Sequence, residues 1–164
     1  MQQTLYLMLG YPGSGKSHFA VQLAPQINAV RLSTHSIRIN MFDNPRDHMN
    51  PEDNEKISNV QNYVTDAVLS ARQSVIYGAL MESYADRKRV YKLAKKLGVR
   101  HALIWLQTPA QTAMRQSGPN ELINEYSEAK LEKPKLNEHT IVIAGDSEFE
   151  EQLSTLIQQA SNGA

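Results

Sequence analysis

The sequence predicts an α/β fold, a three-layer α/β/α sandwich around a five-stranded parallel sheet. Three observations carry that prediction. Short apolar runs alternate with segments of helical period five times along the chain. The runs are continuously apolar, as strands buried on both faces are, and not alternating as in a half-exposed sheet. The first run also ends in a glycine-rich turn that leads straight into a helix.

The first strand is expected over 4–9, ending at Gly10, with a helix over 16–24 that stops before Pro25. A short strand follows at 29–32, and residues 33–42 read as a loop leading into a short helix. Residues 43–51 are rich in Asn, Asp and Pro and read as turns. A long helix then starts with Asn50 as cap and Pro51 in its first position. Ile57, Val60, Val64, Ala67, Val68 and Ala71 recur there at helical spacing, so one face should be buried. The third strand is placed at 74–77, ending at Gly78, and Ser83 and Gly98 bracket a helix over 84–97. A fourth strand is placed at 102–106. Thr108-Pro109-Ala110-Gln111 reads as a capping box for a helix that ends by Gly118-Pro119. A polar helix over 120–131 and a fifth strand over 140–144 follow. Asp146 or Ser147 would cap a last helix carrying Phe149, Leu153, Leu156 and Ile157.

At 164 residues the chain reads as a single domain over 1–164. It has no cysteine, which excludes a disulfide framework and a thiolate metal site. Its 17 basic and 17 acidic residues balance, so nucleic acid would have to be met through a local patch. No basic leader precedes the short run 5–9, and no run is long enough to span a membrane, so a cytoplasmic, membrane-free location is the expectation.

The turn carries the chemistry. Gly10-Tyr11-Pro12-Gly13-Ser14-Gly15-Lys16-Ser17 matches the phosphate-binding loop G-x-x-x-x-G-K-[ST], the Walker A motif, in full. Gly10, Gly13, Ser14 and Gly15 let the backbone wrap round phosphates and aim its N–H groups inward. The helix from Lys16 adds its positive end. Lys16 would reach the β and γ phosphates, and Ser17 would offer its hydroxyl to Mg²⁺. ATP, or a similar nucleoside triphosphate, is the expected ligand.

With that loop in place, the chain resembles the AAA-like P-loop kinases related to polynucleotide kinase, its 5′-hydroxyl kinase domain, and the zeta-toxin kinases. The resemblance spans about residues 3–146. Beside the loop and Phe19-Ala20, it rests on Leu32-Ser33-Thr34-His35-Ser36-Ile37-Arg38 and on Val75-Ile76-Tyr77-Gly78-Ala79 with Asp86-Arg87-Lys88-Arg89. The last piece is Ile104-Trp105-Leu106 with Thr108, Pro109 and Arg115. It implies the strand order 2-3-1-4-5 and transfer of the γ-phosphoryl of ATP to a hydroxyl. It assigns Arg38 to substrate or phosphate, Arg115 to charge on the transferred group, and about 116–134 to a lid.

Two departures stand beside it. Where such kinases carry the aspartate that acts as base, this chain has His35, and where they carry an aspartate after the third strand it has Gly78. An imidazole titrates near neutrality, so His35 serves as base on one reading and is a surface residue of an unreactive site on the other. Gly78 has a bland reading too, a tight strand end. Glu82 is the nearest carboxylate to stand in. The basic stretch from Arg87 to Arg100 reads mainly as the solvated face of a helix, with Arg87 and Arg89 nearest the strand ends and within reach of an acidic substrate. Trp105 reads as core, and His48, His101 and His139 lack metal-ligand spacing. The working groups are thus Lys16, His35, Arg38 and Arg115, in a kinase-like phosphotransferase. The alternative is an ATP-binding regulatory or interaction module that no longer transfers phosphate. A slow ATPase would need a residue to orient water, and none is evident. The acceptor is open: a nucleic-acid 5′ end, a nucleoside, a sugar or a protein side chain.

Overall fold

The computed structural model describes residues 2–79, 81–117 and 131–162. β1 (Thr4–Leu9) is buried along its whole length because it lies at the centre of the sheet. Its neighbours are β3 (Ser74–Gly78) and β4 (Arg100–Gln107). β2 (Ala29–Ser33) and β5 (Thr140–Ala144) form the edges, giving the order β2-β3-β1-β4-β5. All four pairings are parallel. This is the order that the family resemblance implies.

Alternation along β1 sends its side chains into two cores. Tyr6 and Met8 pack with Phe19, Leu23, Ile104 and Leu156 under α1 (Lys16–Gln26) and α6 (Phe149–Asn162). Leu5, Leu7 and Leu9 pack with Leu69, Tyr77, Val90 and Ala94 under α3 (Pro51–Ser70) and α4 (Tyr84–Lys96). Each such buried side chain contributes roughly 1.5–3 kcal/mol. Trp105 is half-buried against the second core, in keeping with its reading as core.

Several elements differ from expectation for identifiable reasons. α1 runs through Pro25 to Gln26. In a last turn, proline forfeits a single helical hydrogen bond, so the helix need not stop before it. Residues 33–42 hold no leading loop. α2 (Thr34–Met41) begins at once, because the Ser33 side chain accepts from the Ser36 N–H. α3 begins as expected, with Asn50 accepting from the Asp53 N–H. Its buried stripe, however, is Ile57, Gln61, Thr65 and Leu69, while Val60, Ala67 and Ala71 face outward. Two polar residues sit in that stripe with partners for their donors, while the buried Gln61 Oε1 has no partner among the described residues. Gln61 Nε2 donates to the carbonyls of Leu32 and Gly78, both at 3.2 Å, and Thr65 Oγ1 donates to the Gln61 carbonyl at 2.7 Å. α4 is capped by Ser83, as expected. α6 starts later than expected, at Phe149, with Glu148 O accepting from the Gln152 N–H, and Ile157 lies largely exposed. α5 (Ala110–Ser117) follows β4. The expected helix at 120–131 and most of the expected lid lie outside the described residues. Among the described residues, no helix is long and apolar enough to cross a membrane.

Candidate active site

The phosphate loop joins β1 to α1 at the carboxyl end of the sheet, where ligands bind in folds of this kind. Its shape depends on glycine. Gly10 has φ +151°, and a Cβ there would come within 2.7 Å of the Leu106 carbonyl. Gly15 is in the left-handed region and caps α1. Ser14 is fully buried, and its carbonyl accepts from Thr108 Oγ1 at 3.0 Å. Thr108, expected from sequence to cap the next helix, instead braces the loop: α5 begins at Ala110, with the Pro109 carbonyl accepting from the Ala113 N–H. Gly145, after β5, completes the support. A Cβ on it would collide with Thr108 Oγ1 and lie 3.0 Å from the Ser14 carbonyl.

Lys16 folds back over its own loop. Its Nζ donates to the carbonyls of Gly10 and Tyr11 at 2.6 and 2.7 Å. Burial lowers its pKa from the usual 10.5 to about 8, and the nearby charge of Glu82 works against that shift. The ammonium is thus held over the loop and short of counter-charge, which is what a polyphosphate supplies. A cleft of about 710 Å³ opens beside it. Gly13, Gly15, Lys16 and Ser17 line one wall, and Gly145, Asp146, Ser147 and Phe149 line the other. The first N–H groups of α1 have no helical partner and face the same region. The residues present therefore fit a bound triphosphate. For a divalent cation, Ser17 offers a hydroxyl in the cleft. Among the described residues, no cluster of three acidic or histidine side chains stands ready for a metal.

The other expected working groups lie apart from this cleft wall. His35 is exposed in the first turn of α2. Arg38 is committed within the scaffold. Its guanidinium donates to the His48 carbonyl and, at 2.7 Å, to Asn54 Oδ1. That contact ties α2 to a 3₁₀ turn (Pro45–His48) and to α3. His48 stacks on Phe42 with ring centroids 3.7 Å apart, and its Nδ1 lies 2.8 Å from Asp53 Oδ2. Hydrogen bonds from His48, then Asn50, hold the Asp53 carboxyl down at about 2. Arg115 is exposed on α5. Gly78 sits at the end of β3 opposite Ser33, where a Cβ would lie 3.2 Å from the Leu32 carbonyl. Glycine there reflects close backbone approach.

Arg87 requires a correction. It is not on the solvated face and does not reach toward a substrate. It is wholly buried and forks onto Glu138, Nε to Oε1 at 2.7 Å and Nη2 to Oε2 at 3.0 Å. Its Nη1 also donates to the carbonyls of Met81 and Glu82. Tyr91 OH donates to Glu138 Oε1 at 2.6 Å. Burial alone would raise the Glu138 pKa, but Arg87 and Tyr91 reverse that and hold it below the ordinary carboxylate range. This knot fixes the loop that carries Glu82 beside the phosphate loop. Helical spacing could not reveal it, because a buried arginine looks like its exposed neighbours until its partner 51 residues away is known. Arg89 is exposed, 3.4 Å from Asp86, as the solvated-face reading holds.

A phosphate-loop sandwich of this strand order defines a P-loop protein of the kinase-like fold. The chain belongs to the family described as AAA domain, AAA_33, whose model matches residues 5–134. Comparison with curated protein sequences gives no match. The fold is similar to that of the Mycobacterium tuberculosis APS kinase CysC, solved in complex with AMPPNP and APS. There the TM-score is 0.75 at 17% identity, with 98% of each chain covered. It is also similar to a gluconokinase from Sinorhizobium meliloti, with TM-score 0.67 at 13% identity over 99% of this chain and 93% of that one. A third likeness is to a chain of the Pnkp1/Rnl/Hen1 RNA repair complex, with TM-score 0.62 at 20% identity. It covers 98% of this chain but 46% of that one.

Proposed function

We propose that this chain is an ATP-binding, kinase-like phosphotransferase of the cytoplasm that moves the γ-phosphoryl of ATP to a hydroxyl acceptor. The observation that carries the reading is the braced loop. A half-buried lysine with a lowered pKa lies over the loop's own carbonyls beside a cleft of about 710 Å³. The incoming triphosphate takes over the Lys16 ammonium from Gly10 and Tyr11, and the loop N–H groups receive its oxygens. Mg²⁺, held by Ser17 and phosphate oxygens, would neutralise charge on the polyphosphate. Arg115 serves charge on the transferred group, at the start of the lid segment 116–134. Arg38 acts by fixing the acceptor wall, since its guanidinium is already engaged. His35 is the side chain at the base position.

A second reading is a nucleotide-gated binding module without transfer. The crowding at Gly78 and the exposed, unbraced His35 favour it, because a catalytic base is normally oriented by a partner. Among the described residues, His35 shows no side-chain partner.

The test is transfer of labelled γ-phosphate from ATP. The acceptors are RNA and DNA 5′-hydroxyl ends, sugars and APS, chosen from what the structural relatives are named for. Transfer that Lys16→Ala abolishes is the expected result. Binding of ATP with no transfer to any of them would leave the second reading standing.

A further inference from the structure

A nucleotide meets the cleft with its phosphates at one wall and its base at another. The loop from Gly13 to Ser17 takes the phosphates. The base is left with Gln22 of α1, the segment from Gly145 to Phe149, and Gln152 of α6. Phe149 is half-buried and tilts against Phe19, with ring centroids 5.8 Å apart, which gives a planar ring an apolar flank. Asp146 and Glu148 are exposed, so water competes for their carboxylates. Gln152 is the polar side chain of this wall that is buried, at 7% exposure.

The Gln152 amide is held in one orientation. Its backbone N–H donates to the Glu148 carbonyl at 3.1 Å, and its Nε2 donates to the Ala144 carbonyl at 2.9 Å, at the end of β5. The amide oxygen turned to Ala144 would set acceptor against acceptor, so the nitrogen must be the atom there. Oε1 is left over. It has no hydrogen-bond partner among the described residues. Nor is it sealed in the core, as the unpartnered Gln61 Oε1 is, and the cleft is the opening that Gln152 lines. A fixed, largely desolvated acceptor thus stands where the base must lie.

We propose that Gln152 Oε1 reads the base of the nucleotide, accepting a hydrogen bond from the 6-amino group of adenine and rejecting purines that carry an oxygen there. Adenine turns an N–H₂ donor out at that position, and a 6-oxo purine turns out an acceptor. Two acceptors face to face leave both unpaired, and a buried site has little water to make up the loss. The inference rests on the nucleotide reading of the loop and adds to it the choice of base.

Calorimetric titration with ATP, inosine triphosphate and the triphosphate of purine riboside tests it. These ligands share ribose and phosphates and differ at position 6, which carries an amino group, an oxygen or a hydrogen. The wild type should bind ATP about five- to tenfold more tightly than the purine riboside triphosphate, the equivalent of one hydrogen bond, and the inosine nucleotide more weakly still. Gln152→Met removes the amide and should bring the affinities within about twofold of one another. The ratios cancel any damage to the loop, since each ligand offers it the same phosphates. Equal affinities in the wild type, which need no variant to measure, overturn the role of Gln152 and leave the loop assignment standing. Ratios that Gln152→Met leaves unchanged do the same. A wild type that binds none of these ligands overturns the nucleotide reading and this inference with it.

Discussion

The two halves of the carboxyl edge of the sheet are built differently. Above β1, β4 and β5, the site is made of backbone. Gly10 and Gly15 set the path, Thr108 and Gly145 brace it, and Lys16 lies over it. Above β2 and β3, the site would be made of side chains, and those are occupied with each other. Arg38 holds the 3₁₀ turn and α3, and Gln61 clasps the carbonyls of Leu32 and Gly78. A backbone site tolerates few substitutions and so keeps its signature. A side-chain site can be rewired while the fold stands.

Removing the partner of a buried charge should produce the largest effect. Arg87→Met leaves Glu138 buried without its counter-ion and should cost about 3–5 kcal/mol in denaturant unfolding. Loss of under 1 kcal/mol would mean that water already serves Glu138. On the backbone half, Gly145→Ala drives a methyl into Thr108 and the Ser14 carbonyl. It should cost about 1–3 kcal/mol and weaken nucleotide binding as well. Loss of stability without loss of binding would separate the brace from the loop's function.

The pH dependence sharpens the contrast further. Lys16 titrates at about 8 in the free chain against the usual 10.5, so folding disfavours its charged form. That cost is fully present below pH 8, and stability should rise as pH climbs from about 8 towards 10.5. Bound phosphate favours the ammonium. ATP affinity should therefore fall as pH rises above 8, by up to about tenfold per unit. A flat calorimetric profile between pH 7 and 9 would contradict this. The smallest effect is expected at Arg38. Arg38→Gln should lower stability by about 1 kcal/mol through its lost bonds and leave ATP affinity unchanged. A large loss of affinity would return Arg38 to the phosphates.

What was legible in the sequence follows the same division. The phosphate loop could be read residue by residue because each glycine answers a local demand of the backbone. Strand positions could be read because β1 and β3 are apolar on both faces. The supports at Thr108, Gly145 and Glu138 could not, because each matters through a residue far away in sequence. On α3 the expected stripe holds at Ile57 and, half-buried, at Val64 and Val68, and fails at Val60, Ala67 and Ala71 for a related reason. Gln61 and Thr65 look exposed by polarity, and the carbonyls that bury Gln61 belong to β2 and β3.

The most direct test is calorimetric titration of ATP into the wild type and Lys16→Ala at neutral pH. Saturable binding by the wild type, weakened about 10²-fold or more by Lys16→Ala, is the predicted result. Equal binding by both chains, or none by the wild type, would contradict the assignment of the nucleotide to the loop.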